Sequence, residues 1–290
     1  MSSAFLTSGM AWYRRKNSGA VSRSPFSNGS SRALRRLSDG DVYYVDNRKD
    51  RHETVEARFR VMGRAPEIWH ADTGTIEPVS YRIANGVTII PLDFHAEESF
   101  FVVFRKPASS PSLRRSSRVL RRVAGFGGPW SVTFQPGRGA PRSAKLSRLA
   151  SLSKNARPGI KYFSGIATYR RSFRLPARER NGRPLWLDLG RVGDLAEVHV
   201  NGKLVGTIWH TPYRLDIGNA VKPGRNRLEV RVADLWVNRL IGDAQPRARK
   251  ITWTAVPTYK PDAPLKSSGL IGPVTLSVES RPRTAVQPHR

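Results

Sequence analysis

Polar side chains interrupt an apolar stretch near residue 240, and their types are suited either to each other or to a sugar. In "WVNRLIGD", Asn238, Arg239 and Asp243 stand among apolar neighbours. A buried arginine needs an acidic partner, which Asp243 can supply, so one interpretation is an internal network of an ion pair and hydrogen bonds. The other is contact with a carbohydrate or at a domain interface, for which His210 and Trp253 are further candidates. Such a site is expected on loops at one rim of a rigid scaffold.

Paired carboxylates are the second chemistry to consider, because glycoside hydrolysis uses two of them at roughly 5 to 9.5 Å. Asp188, Asp194 and Glu197 are close in sequence, as are Asp234 and Asp243. On alternating strands any of them is expected to be a surface charge, and no sequence pattern marks one as buried with a raised pKa. We therefore assign no catalytic residue.

Sequence motifs for cofactors and metals are absent. The chain has no phosphate-binding glycine loop, no calcium loop and no zinc motif, and its six histidines show no spacing suited to a metal. It has no cysteine, so neither disulfides nor thiol chemistry can be argued. No run of about 18 apolar residues exists, and the first 17 residues lack the apolar core of a signal peptide. We expect no metal, no cofactor and no membrane partner.

The net charge of +28 raises the question of a polyanion partner, and its distribution answers part of it. Residues 1–40 hold seven basic and one acidic residue, and residues 107–157 hold eleven basic residues and no acidic one. Both segments are rich in Ser, Gly and Pro, which favours flexible linkers with solvated charge. A polyanion-binding role for these segments is the alternative, with nucleic acid not favoured as the partner.

Short alternating runs separated by turn residues fill the rest of the chain and predict an all-β protein. We assign residues 1–39 to a basic, disordered segment, 40–106 to a small β-sandwich-like unit and 107–126 to an Arg-rich linker. A jelly-roll-like β-sandwich is predicted over 127–280, followed by a frayed tail over 281–290. In this second unit, "PLWLDLG" and "RLEVRV" each carry one apolar face: Leu185, Leu187 and Leu189, and Leu228, Val230 and Val232.

A hairpin is predicted where two apolar runs meet at Asn201 and Gly202, because a type I′ turn needs two residues with positive φ. Followed outward in register, Val200 opposes Lys203, Val198 opposes Val205, Ala196 opposes Thr207 and Asp194 opposes Trp209. Trp209 is then expected on the core face, unless Gly206 introduces a bulge that reverses the register.

The second unit resembles the galactose-binding-like β-sandwich found in glycoside hydrolases, including those of family 2. The residues that carry the likeness are "KYFSGIATYRRSF", "GDLAEVHVNGKLVGTIWHTPYRLDI", "DLWVNRLIGD" and "SSGLIGPVTL", in that order. Upstream, "DGDVYYVDNRKDRHETVEARFRV" is similar to the β-rich region that follows the catalytic barrel in α-L-rhamnosidase-like proteins of glycoside hydrolase family 106. Together the similar parts cover residues 38–107 and 127–277. The stretch "RLASLSKNARPGIKYFSG" departs from the family pattern, which has a tryptophan-containing segment there.

The resemblance implies an accessory carbohydrate-binding or structural region of a hydrolase, because no part of the chain is similar to the catalytic barrel. On this interpretation the chain is a truncated form, inactive alone, or pairs with a separately encoded catalytic domain, and its ligand is a plant or bacterial polysaccharide or a rhamnoside. The resemblance also implies a periplasmic or secreted full-length form. Two alternatives remain: an active glycosidase that hydrolyses the O-glycosyl bonds of rhamnosides, and a polyanion-binding protein that uses the Arg-rich linkers.

Overall fold

The structure is a computed structural model that describes residues 22–25, 30–115, 119–176, 179 and 184–280. Contacts divide the chain into two units, Met1–Ser117 and Arg118–Arg290, with the boundary inside the predicted linker. The predicted tail at 281–290 lies outside the described residues. Of the described helices, none has the length and apolar character needed to cross a bilayer. The all-β prediction is confirmed, because both units are built from antiparallel sheets.

The first unit folds into two antiparallel sheets, one with the order β1-β2-β3-β9-β5-β6 and one with the order β10-β7-β8-β4. Its strands are β1 Ser22–Pro25, β2 Ser30–Arg36, β3 Asp41–Asn47, β4 Glu53–Phe59, β5 Arg64–Trp69, β6 Ile76–Pro78, β7 Tyr81–Ala84, β8 Val87–Phe94, β9 Ser99–Pro107 and β10 Ser112–Leu113.

An aromatic cluster fills the space between these two sheets. The ring of Tyr43 on β3 lies 4.8 Å from that of Phe59 on β4 and 5.7 Å from that of Phe104 on β9. Alternation explains the placement, since every second residue of a strand faces the same side. All three rings are buried in the core of this unit, which is small for a separate core.

Disorder, predicted for residues 1–39, does not hold for the part of this segment that the structure describes. Residues Ser30–Arg36 pair in antiparallel register with β3, and Ser22–Pro25 pairs with them in turn. Leu34 packs half-buried against the core of the first unit. Strand pairing with β3 satisfies backbone groups regardless of the side chains, so a Ser- and Arg-rich composition did not prevent it.

The second unit is a sandwich of a six-stranded sheet, β13-β12-β14-β20-β17-β18, and a four-stranded sheet, β11-β22-β15-β19, with a small sheet of β16 and β21. Its described residues also form two α-helices and a 3₁₀ turn at Leu152–Lys154. The elements are β11 Val119–Gly125, β12 Trp130–Phe134, β13 Ser143–Leu146, α1 Pro158–Lys161, β14 Ile166–Leu175, β15 Leu185–Asp188, β16 Arg191–Val192, β17 Leu195–Val200, β18 Lys203–Ile208, β19 Arg214–Asp216, β20 Gly224–Ala233, α2 Val237–Asp243, β21 Leu270–Gly272 and β22 Thr275–Ser280.

One hydrophobic core joins the inner faces of the two large sheets. The predicted apolar faces of β15 and β20 are confirmed, because Leu185, Leu187, Leu228, Val230 and Val232 are all buried in this core. Their polar neighbours in sequence are more exposed, as the period of two requires.

The Arg-rich linker predicted over 107–126 contains strand structure. Residues Ser112–Leu113 pair with β7, and Val119–Gly125 pair with β22. Val123 and Ala124 pack against the core of the second unit, while Arg121 and Arg122 are exposed. The linker assignment was therefore wrong for these residues, because an edge strand needs only one apolar side and tolerates exposed arginine on the other.

The hairpin between β17 and β18 has the predicted turn but not the predicted register. Asn201 and Gly202 have φ values of 55° and 85°, as a type I′ turn requires. The register then shifts between Val198 and His199, so that Val198 pairs with Gly206 and Ala196 with Ile208. This bulge turns Ile208 into the core and leaves Trp209 64% exposed, so the prediction of a buried Trp209 was wrong.

Candidate functional site

The polar residues of "WVNRLIGD" lie on α2, a helix that the sequence analysis did not predict. The i, i+4 spacing places Arg239 and Asp243 on one face of the helix, where they form an ion pair with 3.0 Å between Nη2 and Oδ1. Both side chains are less than one tenth exposed. Because an isolated buried charge is costly, each of these two buried side chains needs the opposite charge of the other to remain ionised.

Asp243 also holds the chain segment that follows the helix. Its Oδ2 atom accepts hydrogen bonds from the backbone N–H of Ile251 at 3.2 Å and of Thr252 at 2.8 Å, and from the Thr252 hydroxyl. Burial raises the pKa of Asp243, but the bonds from Thr252 and the charge of Arg239 outweigh it and leave the pKa below its usual value. The carboxylate is therefore held in its charged form.

Asn238 ties the other side of α2 to residues 266–268. Its side-chain amide donates to the Lys266 carbonyl oxygen at 2.8 Å and to Ser268 Oγ at 3.3 Å, and its Oδ1 accepts from the Lys266 N–H at 2.8 Å. A single buried side chain thus satisfies both backbone groups of Lys266. This arrangement fixes α2 against the strand that begins at Leu270.

Close packing leaves little free space around Arg239. A Cβ atom on Gly139 would lie 2.8 Å from its Nη1, and one on Gly242 would lie 2.5 Å from its Nη2 and from Cβ of Tyr162. The Arg239 N–H donates to Ser164 Oγ at 3.1 Å. Of the two interpretations of Asn238, Arg239 and Asp243, the described contacts correspond to the internal network.

Trp253 follows the anchored Thr252 directly and is 85% exposed. Trp236, at the start of α2, is 45% exposed, and Cζ of Arg138 lies 4.5 Å from the centre of its ring. The turn at Arg138 and Gly139 therefore touches both the beginning of α2 and the segment around Ile251, whose Cδ1 would be 3.2 Å from a Cβ on Gly139.

His210 is the one sequence candidate that belongs to a different segment. It lies on the turn after β18, with its ring edge-on to Trp209 at 4.8 Å and Nδ1 2.8 Å from the Thr211 carbonyl oxygen. The structure thus brings Asn238, Arg239, Asp243 and Trp253 into one connected region and leaves His210 with the hairpin.

Asp234 was considered in the sequence analysis and expected to be a surface charge, but the structure shields its carboxyl group from solvent. It follows β20 and continues the inward parity of Val230 and Val232. Its Oδ1 accepts from the Gly269 N–H at 2.7 Å, and its Oδ2 is buried without a hydrogen-bond partner among the described residues. Burial, with a smaller contribution from the charge of Asp194, raises the pKa of Asp234 to about 7. The alternation of β20, extended by one step, is the signal by which the sequence could have identified this residue.

The other acidic residues considered for catalysis have ordinary partners. Lys266 Nζ lies 3.0 Å from Asp194 Oδ1, and Glu197 pairs with His199 at 2.7 Å and with Arg231 at 2.9 Å. Asp188 accepts from the Gly190 N–H at 2.8 Å. Within the described ranges no group of three or more His, Asp or Glu side chains is placed to hold a metal ion.

Two family models match this chain. Residues 31–83 match that of alpha-L-rhamnosidase, glycoside hydrolase family 106. Residues 161–259 match that of the glycosyl hydrolase 2 galactose-binding domain-like family. This range contains Trp253 and the buried polar side chains of Asn238, Arg239 and Asp243, which we call the α2 network. The resemblance to these two families is confirmed, and with it the galactose-binding-like character of the second unit.

Longer proteins are similar to this chain. A rhamnosidase from Novosphingobium sp. PP1Y, of known structure, is 54% identical with a TM-score of 0.81, over 90% of this chain and 25% of that one. A protein of Formosa agariphila whose name places it among the beta-glucuronidases is 39% identical over 176 residues, which cover 52% of this chain and 15% of that protein. The chain thus spans a quarter or less of these relatives and is a region related to glycoside hydrolases.

Proposed function

We propose that this chain is an accessory, carbohydrate-binding region of an α-L-rhamnosidase-like glycoside hydrolase, and that Trp253 is its main sugar contact. The observation that carries the proposal is the pairing of an exposed ring with a buried anchor. Trp253 is 85% exposed, yet the residue before it is held by Asp243 through backbone and hydroxyl bonds. An indole that is exposed but held in place offers a flat apolar face to the C–H face of a sugar ring at low entropic cost.

The α2 network has a positioning role in this proposal. Arg239 and Asp243 are too closely packed to contact a ligand directly, but their ion pair keeps the acceptor Oδ2 charged and aimed at Thr252. The rigid scaffold then presents residues of a loop, which is where ligand contacts are usually found. Asn238 contributes by fixing the opposite side of the helix.

A comparison of two exposed tryptophans tests the proposal. Trp253→Ala is expected to weaken binding of methyl α-L-rhamnoside about tenfold, the effect of losing roughly 1.4 kcal/mol of stacking. Trp209→Ala removes a ring that is also largely exposed in the same unit, and is expected to change affinity less than twofold. Titration calorimetry measures both, and circular dichroism shows that each variant is folded. An equal loss in the two variants, or no binding by the unmodified chain, would overturn the proposal.

The active glycosidase is a second candidate, favoured by one observation. Asp234 has a pKa raised to about 7, which is the property of a general acid. Its Oδ1, however, accepts a hydrogen bond from the backbone of Gly269 and its Oδ2 is buried, which places the carboxyl group poorly for proton transfer to a substrate oxygen. Release of nitrophenol from a nitrophenyl α-L-rhamnoside by the purified chain, abolished by Asp234→Asn, is the result that this candidate requires and that the accessory proposal excludes.

A further inference from the structure

The outer face of the six-stranded sheet in the second unit has two halves. The cations of one half form ion pairs with acidic residues of the sheet, and within the described residues those of the other half do not. In one half, Arg170 on β14 lies 2.7 Å from Glu229 on β20, and the Glu197 carboxylate joins His199 and Arg231. Arg170 and Arg231 thus each have an acidic partner on a neighbouring strand, and His199 has one on its own strand. Its charges are therefore largely compensated within the sheet.

The other half carries cations that have no acidic partner within ion-pair distance in the described part of the chain. Ser172, Asn201, Lys222, Arg225 and Arg227 line a groove of about 550 Å³ there. We call it the basic groove. Its three cationic side chains are exposed, and none forms an ion pair with a described carboxylate.

Arg174 adds a fourth cation beside the basic groove. In the pairing of β14 with β20 it is directly opposite Arg225, and Ser172 is opposite Arg227. Directly opposed residues have Cβ atoms about 4.5–5.5 Å apart, and like charges in such a pair destabilise a sheet. Four uncompensated cations thus lie together on two strands and one turn, although the same sheet neutralises its other half.

Two side-chain amides, one of them buried, hold the backbone of the basic groove in place. Asn226 is fully buried, and its Oδ1 accepts from the Lys222 N–H at 2.9 Å and from the Asn201 side-chain amide at 2.8 Å. Asn201 in turn accepts from the Arg227 N–H at 3.0 Å. Two of the cations are therefore mounted on a backbone that is fixed before any ligand arrives, which lowers the entropy lost on binding.

We infer that the basic groove binds an acidic polysaccharide through its carboxylate or sulfate groups. Arginine recognises both groups with paired, charge-assisted hydrogen bonds. Nucleic acid is the less suitable polyanion, because single-stranded binding relies on aromatic stacking and no aromatic side chain lines the groove. The choice of a polysaccharide over other polyanions rests on the proposed carbohydrate-binding function.

The test is a comparison of two triple variants with the same change in net charge. Arg174→Gln, Arg225→Gln and Arg227→Gln together remove cations of the basic groove and its border. Arg142→Gln, Arg148→Gln and Arg249→Gln together remove three exposed arginines elsewhere in the same unit. Affinity of the full chain is measured by titration calorimetry for polygalacturonate, dextran sulfate, neutral dextran and single-stranded DNA, at low and moderate salt.

We expect polygalacturonate or dextran sulfate to bind the unmodified chain, and the groove variant to lose at least tenfold in affinity. The magnitude of the slope of log affinity against log salt is expected to fall by about 2 in the groove variant. Each contact that forms releases roughly 0.7–0.9 of a counterion, and the variant forms three fewer contacts. The control variant should change affinity less than twofold. Which of the two anionic polymers binds more tightly identifies the preferred group.

Three results would overturn the inference. The first is an equal loss of affinity in both triple variants, which would indicate an effect of net charge alone. The others are binding of neutral dextran with an affinity comparable to that of the acidic polymers, and groove-dependent binding of single-stranded DNA that is tighter than theirs. The two proposals fail separately. Binding of methyl α-L-rhamnoside should persist in the groove variant, and binding of the acidic polymer should persist in Trp253→Ala.

Discussion

Two carboxyl groups that are largely shielded from solvent lie near opposite ends of α2, and their pKa values are shifted in opposite directions. Asp243, in the last turn, has a pKa held below its usual value although burial acts to raise it. Asp234, before the first turn, has a pKa raised to about 7. Burial penalises the charged form of both. What differs is the number and kind of partners that each carboxylate receives.

Asp243 forms an ion pair with a cation and accepts three hydrogen bonds, whereas Asp234 accepts a single hydrogen bond. The ion pair with Arg239 and the bonds from Ile251 and Thr252 more than offset the desolvation of Asp243. Asp234 has only the Gly269 N–H and faces the like charge of Asp194, which Lys266 partly compensates. Burial therefore dominates the pKa of Asp234, whereas at Asp243 the hydrogen bonds and the charge of Arg239 together outweigh burial.

Removal of the cation should have the largest effect on this comparison. Arg239→Met leaves Asp243 buried without its counter-ion, which is expected to lower the free energy of unfolding by roughly 3–5 kcal/mol. Urea unfolding followed by tryptophan fluorescence measures it, because five tryptophans lie in the second unit: Trp130, Trp186, Trp209, Trp236 and Trp253.

Lys266→Met is the matched control for that variant. Its ion pair with Asp194 has the same 3.0 Å separation, but the lysine side chain is 48% exposed. Exposed ion pairs contribute about 0–1 kcal/mol, so the control should lose no more than that. Equal losses in the two variants would show that burial of the Arg239–Asp243 pair does not increase its contribution to stability.

The pH dependence of stability gives the second-largest effect, with opposite signs at the two carboxyls. The folded pKa of Asp234 is above its unfolded value, so the folded state holds the proton longer and stability falls as pH rises through this interval. Asp234→Asn removes the effect and should gain roughly 2–3 kcal/mol relative to the unmodified chain between pH 5 and pH 8. Unfolding at the two pH values measures this gain.

Asp262→Asn, a change at an exposed carboxyl, serves as the control and should show no such gain. A gain at Asp234 that does not change with pH would contradict a raised pKa and leave packing as the explanation. At Asp243 the lowered pKa has the reverse consequence, because its stabilisation is present above the usual pKa and is lost as pH falls through the folded value.

The sequence predicted the strand faces better than it predicted the individual site residues. Period two located the buried side chains of β15 and β20, because regular strands keep one face inward over their length. The exposure of Trp209 depended on one extra residue in β18, and Gly206 indicated that a bulge was possible there without determining whether it forms.

Partners that are distant in sequence explain most of what could not be predicted. The pair of Arg239 and Asp243 was recognisable because the two residues are only four positions apart in an apolar stretch, although the helix that joins them was not predicted. The pKa of Asp234 is set by elements that are distant in sequence: burial by other elements raises it, and the hydrogen bond from the Gly269 N–H, 35 residues away, only partly offsets that rise. Likewise, the Ser- and Arg-rich strand at Ser30–Arg36 exists because β3 offers it an edge.

The smallest change tests a single hydrogen bond of the better-partnered carboxylate. Thr252→Val preserves shape but removes the hydroxyl that donates to Asp243 Oδ2. Loss of a bond to a charged acceptor should lower the free energy of unfolding by about 1.5–3 kcal/mol at pH 7, toward the lower end because two backbone donors remain. Thr258→Val, whose hydroxyl donates at 3.3 Å to a neutral carbonyl oxygen at an exposed position, should lose less than 1 kcal/mol.

The dependence of this loss on pH separates hydrogen bonding from packing. The Thr252 hydroxyl stabilises the charged form of Asp243, so without it the pKa should move back toward the usual value and the difference between variant and unmodified chain should shrink as pH is lowered toward 3. Urea unfolding over that range measures the difference. A loss that stays constant with pH would mean that the methyl and hydroxyl positions matter only for packing, and the contrast between Asp243 and Asp234 would then depend on Arg239 alone.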